Sequence, residues 1–139
     1  NNQKIIEYTM LSPYSCGMDS FIRQLIATLD NAAIIFNHPI INNDGYSRAF
    51  DEEELKTIVR GKIATAIIVA PDMTYTLEIP TGKDPKLCWK RARKKYKIAK
   101  DKTKWFFALG RTRKRLRSIK TIEYVAERMN WDFRYEEYQ

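Results

Sequence analysis

Apolar residues recur along this chain in two rhythms, one suited to helices and one to strands, and the breaks between them outline the elements. Residues 5–11 are short and rich in β-formers, with Ser12, Pro13 and Ser15 behind them, so they predict a strand running into a loop. Asp19 offers a helix cap, and Ile22, Leu25, Ile26 and Leu29 follow at i, i+3, i+4 and i+7, which lines one buried helix face. The apolar run 32–36 is too short for a helix of its own. Asn42, Asn43, Asp44 and Gly45 behind it are turn residues. The next helix has a defined start: Asp51 as cap, Glu54 as its capping-box partner, and Phe50 against Leu55 as a hydrophobic staple. Leu55, Ile58 and Val59 form its apolar stripe, and Gly61 stops it.

Residues 63–70 are almost unbroken apolar, the pattern of an interior strand covered on both faces. Pro71 and Asp72 turn the chain, and Met73, Tyr75, Leu77 and Ile79 then alternate with polar residues, predicting a half-buried strand hairpinned onto its predecessor. Asp84 followed by Pro85 caps a helix over 86–99, whose narrow apolar face is Cys88, Ala92, Tyr96 and Ala99. Beyond it, 105–109 reads as a buried strand, Gly110 as a turn, and 112–118 as a second strand with Arg113, Arg115 and Arg117 on one side; a helix is the competing reading of that last piece. Ile122, Val125, Ala126 and Met129 define a final helix ended by Asn130, and Trp131, Phe133 and Tyr135 alternate in a closing strand. Interleaved strands and helices with a hairpin predict an α+β fold: a mixed sheet of about five to six strands with three to four packed helices, in one globular domain over 1–139.

Composition supports a folded chain. The 139 residues are 44% apolar and 12% aromatic with five Gly and five Pro, which is enough to build a continuous core. Cys16 and Cys88 are isolated and His38 is the single histidine, so neither a disulfide framework, a structural metal nor a cofactor is expected. No apolar run approaches the ~20 residues that span a bilayer. The expected setting is intracellular: cytoplasmic, or nucleoid or nuclear.

Charge changes the picture most. Seventeen of the 25 Lys and Arg residues fall within 83–120, where Asp84 and Asp101 are the only acids, so that segment carries +15 while the remainder sums to −7. A solvated face usually mixes signs; a concentrated positive field condenses onto a polyanion. The expected function is non-catalytic nucleic-acid binding, to DNA or RNA, through Lys86, Lys90, Arg91, Arg93, Lys94, Lys97, Arg111, Arg113, Lys114, Arg115 and Arg117. Trp89, Tyr96 and Trp105 are interleaved and would stack on bases if exposed, although aromatic rings more often anchor a core. The same cations would serve the rival reading, a protein-interaction module docking an acidic partner surface. The final helix could be one arm of a helix-turn-helix reader, but the sequence after Asn130 looks extended.

A separate constellation, Ser15, Cys16, Gly17, Met18, Asp19 and Ser20, resembles the SGGxDS loop of the PP-loop ATP pyrophosphatase superfamily. By that resemblance Ser15, Gly17, Asp19 and Ser20 would line ATP phosphates. Cys16 stands where the family has Gly, and Ser12, Pro13 and Tyr14 separate the motif from the strand. The plainer reading makes Asp19 a helix cap. Metal-dependent nuclease chemistry finds weaker support: Asp72 and Glu78 flank a strand, but Pro80 follows where a lysine would be needed, and Glu54, with Lys56, is already committed to a cap.

Overall fold

A computed structural model of the chain describes residues 31–38, 45–80, 82–104, 110 and 112–138. Four strands, β1 (Ala33–Asn37), β2 (Thr65–Val69), β3 (Met73–Glu78) and β4 (Asp132–Glu137), form one mixed sheet in the order β1-β2-β3-β4. Three helices, α1 (Glu52–Arg60), α2 (Pro85–Lys102) and α3 (Arg113–Met129), pack against it. The class is therefore α+β, with four strands and three helices among the described residues. Two expected strands, 5–11 and 105–109, and the expected helix after Asp19 lie outside them.

β1 and β2 run parallel, as a crossover through α1 requires, with Phe36 opposite Ile68. β2 and β3 are an antiparallel hairpin whose Pro71–Asp72 turn is closed by Ala70 N–H donating to Met73 O at 3.0 Å. β4 returns after two helices to pair antiparallel with β3, Leu77 opposite Phe133. Register then sorts the side chains. Phe36, Ala66, Ile68, Met73, Tyr75 and Leu77 face the helices and join Leu55, Ile58, Trp89, Tyr96, Ile119, Ile122 and Val125 in one buried cluster.

Among the described residues no second layer covers the opposite sheet face, which corrects the expectation for residues 63–70. β2 alternates instead of being buried on both sides: Ala66 and Ile68 point inward, while Val69 is exposed and Ile35, on the same face of β1, is 67% exposed. An apolar run specifies burial on two faces only if a second layer is present.

Helix α1 forms as its caps dictate. Asp51 Oδ1 accepts from Glu54 N–H at 2.7 Å and Glu54 Oε1 accepts from Asp51 N–H at 3.1 Å. Its exit differs in detail from a simple glycine stop. The left-handed residue is Lys62 (φ 55°), with Ile63 N–H donating to Ile58 O and Lys62 N–H to Val59 O. Gly61 matters for a different reason: a Cβ there would lie 2.8 Å from the Thr57 carbonyl oxygen.

The largest correction is in 112–118. That stretch opens α3, a single helix that runs on into the expected final one. Arg, Lys and Leu are strong helix formers, and nothing between Arg113 and Asn130 interrupts the i to i−4 ladder. Alternating arginines imitated a strand because charge alternation, unlike apolar alternation, carries no information about burial. Asn130 ends the helix in the left-handed conformation (φ 59°), and β4 follows directly, so among the described residues no helix follows α3.

Candidate nucleic-acid interface

The basic helix starts where the sequence places it. Asp84 Oδ1 accepts from Lys86 N–H at 3.0 Å and Pro85 occupies the first helical position. It extends three residues past the expected end, to Lys102. Its buried residues are Trp89, Ala92, Tyr96 and Ala99, whereas Cys88 is only half-buried. Trp89 and Tyr96 are 8% and 6% exposed, so their rings are core anchors and present no face to a base. Burial, reinforced by the fields of Asp51, Glu52 and Glu54, pushes the Tyr96 phenol up to about 12. Trp105 and Arg111 lie outside the described residues, as do Ser15, Gly17, Asp19 and Ser20 of the phosphate-loop resemblance.

Lys86, Lys90, Arg91, Arg93, Lys94 and Lys97 are all exposed on α2. Arg93 is partly spent: its Nε donates to Glu52 Oε1 of α1 at 3.1 Å. Among the described residues no carboxylate lies within ion-pair distance of Lys86, Lys90, Arg91, Lys94 or Lys97. These five unneutralised cations share one helix and set up the field that a phosphate backbone would meet.

The arginine row does not survive as a row. On a helix Arg113 and Arg117 lie near one another and Arg115 points the other way. Arg115 is 7% exposed and clamps three segments: Nη1 donates to Asp72 Oδ2 and Nη2 to Glu137 Oε1, each at 3.2 Å, while the guanidinium covers the Tyr46 ring at 4.7 Å. Asp72 also accepts from Ser47 N–H at 3.1 Å; burial opposes its charge, but the Ser47 and Arg115 hydrogen bonds outweigh that and hold its carboxyl below the usual range. Arg115 thus belongs to the architecture and not to an interface.

Arg117 is half-committed in the same way. Its Nη2 donates to Lys100 O at 3.0 Å and its Nε to Thr103 Oγ1 at 3.3 Å, so a cation from α3 caps the carbonyl end of α2. Lys114 is exposed and Arg113 half-buried. Two further cations join the surface at Tyr124 of α3, with Lys102 Nζ 5.1 Å and the Arg128 guanidinium 3.4 Å from the ring centroid. Arg128 lies outside the basic stretch in sequence, and only the packing of α2 on α3 brings it there.

The acid groups considered for chemistry have structural partners. Asp72 is held by Arg115, and Glu78 lies 3.6 Å from Arg134. Glu54, buried, serves the cap with one oxygen and places the other 2.7 Å from His38 Nε2. Burial opposes a charge on His38, but the Glu54 hydrogen bond and the fields of Glu54 and Asp51 prevail and raise its pKa. Burial also pushes the Cys88 thiol up, against the fields of Lys83 and Arg91. Among the described residues no group of three or more His, Cys, Asp or Glu side chains could hold a metal ion, and no helix is long and apolar enough to cross a membrane.

Neither a family model, a curated protein nor a solved structure matches this chain.

Proposed function

We propose that the protein binds nucleic acid without catalysis, chiefly through phosphate contacts from α2, with Lys102, Lys114 and Arg128 extending the same cationic surface. One observation carries the reading: seven exposed cations on a single helix, Lys86, Lys90, Arg91, Lys94, Lys97, Lys100 and Lys102, have no carboxylate partner among the described residues. Self-repulsion among them costs stability that intrahelical acids would relieve, and a polyanion relieves it instead.

Neutralising about five phosphates predicts an affinity for duplex DNA that falls with salt at a log–log slope of about −5. A gel-shift series across salt concentrations measures it, and a slope near zero would sink the reading. The informative substitution is on α2, not on the arginines of α3: Lys90→Ala with Lys94→Ala and Lys97→Ala should make the slope shallower by about 3. Capture of a protein partner that survives nuclease digestion would favour the acidic-partner reading instead.

A further inference from the structure

We propose that α2 enters the major groove of duplex DNA, with Leu87, Arg91, Lys94 and Ile98 turned to the base edges and lysines on both shoulders reaching the two phosphate backbones. This rests on the nucleic-acid reading above and deepens it from a charge to a groove.

The first support is how little of α2 is tied down. At about 100° per residue its buried side chains, Trp89, Ala92, Tyr96 and Ala99, fall within an arc of roughly 80°, and two of the four are alanines. α1 and α3 hold the helix at its flanks, through Arg93 to Glu52 and Arg117 to the Lys100 carbonyl, and its outward side is left exposed. A bare helix is about 10–12 Å across with its side chains, and the B-form major groove is about 12 Å wide.

The second support is what stands on the outward line. Leu87, Arg91, Lys94 and Ile98 succeed one another at i, i+4, i+7 and i+11, on the side away from the buried arc. Leu87 is 48% and Ile98 39% exposed. Apolar side chains gain nothing from phosphate, but thymine carries a methyl group in the major groove, and an arginine matches guanine O6 and N7 there. Leu87 and Ile98 are about 16 Å apart along the axis, the length of roughly five base pairs.

The third support is the shoulders. Lys86, Lys90 and Lys97 lie on one side of that line, and Lys95 and Lys102 on the other, so cations flank the apolar ends on both sides. Asp101, one turn beyond Ile98 on the same side of the helix, is ion-paired with Lys104 at 3.1 Å. Duplex RNA fits the arrangement poorly, because its major groove is deep and narrow. The rings on this helix, Trp89 and Tyr96, are buried, which removes them as stacking platforms for a single strand.

The test uses the full chain with DNA and RNA duplexes of matched sequence, reading affinity by anisotropy and guanine N7 reactivity by dimethyl sulfate. The expected result is a preference for DNA of about tenfold or more and protection of guanine N7. Leu87→Ala with Ile98→Ala, both exposed and so compatible with folding, should remove most of that preference and leave the salt slope unchanged. Equal affinity for duplex RNA, N7 left reactive in bound DNA, or a preference unmoved by the double variant would overturn groove insertion while the nucleic-acid reading stands. Absence of binding to either duplex would overturn both.

Discussion

Arg115 shows how far the role of one side chain depends on its backbone. Carried by a strand it would stand beside Arg113 and Arg117; carried by α3 it turns inward to Asp72 and Glu137. Arg115→Met should therefore cost about 3 kcal/mol of stability, because Asp72 is left largely buried without its cation, and should leave the salt slope of DNA binding unchanged in the folded protein. Chemical denaturation combined with a binding titration reads both quantities. A stable variant with weakened DNA affinity would return Arg115 to the interface. His38 offers a second expectation at this scale. Its folded pKa is raised, so the stabilisation from its pairing with Glu54 is fully present below the pKa of the unfolded chain and is lost as pH rises through the folded value. His38→Gln should flatten that fall in stability, measured by urea denaturation at a series of pH values across neutrality. An unchanged pH profile in the variant would contradict it.

The elements divide by how local their determinants are. α1 was legible because Asp51, Glu54 and the stripe Leu55, Ile58 and Val59 lie within nine residues and their hydrogen bonds close on one another. The start of α2 and the β2–β3 hairpin were legible for the same reason, a cap with Pro85 in one case and the Pro71–Asp72 turn followed by the alternation of Met73, Tyr75 and Leu77 in the other. The opening of α3 was not. Its first turns carry Arg113, Lys114, Arg115 and Arg117, and a charged segment shows its buried side only when a distant partner such as Asp72 declares it. The open face of β2 was missed because an apolar run reports hydrophobicity and not whether a second layer exists. The candidate interface was half legible. Lysines on α2 follow from helical spacing and the burial of Trp89 from the usual place of aromatic rings, while the loss of Arg115 to the core and the gain of Arg128 depend on how the elements pack together.

At the scale of the molecule, the helices and the open sheet face carry opposite tendencies. Glu78, Asp132 and Glu136 share the sheet face away from the helices with Arg134, which lies 3.6 Å from Glu78 and 3.3 Å from Asp132, while α2 carries its unpaired lysines on the helical layer. Ile35 and Val69 stand on the same sheet face, on β1 and β2. Among the described residues the two layers thus differ in charge, so although copies of net charge +8 repel at long range, a close approach is most favourable head to tail, α2 of one on the acidic and apolar sheet face of the next. Such a contact does not close on itself, so it propagates. Dilute salt, where the Debye length is about 30 Å at 0.01 M, leaves the repulsion between copies of net charge +8 unscreened and should keep them apart; about 0.15 M salt, where it shrinks to about 8 Å, should let the short-range contact form and give scattering that grows with protein concentration. Light scattering across that range tests the point, and particles of monomer size throughout would refute it. Duplex DNA added to the associated chains should disperse them, since a polyanion competes for the head that each copy offers to its neighbour's tail.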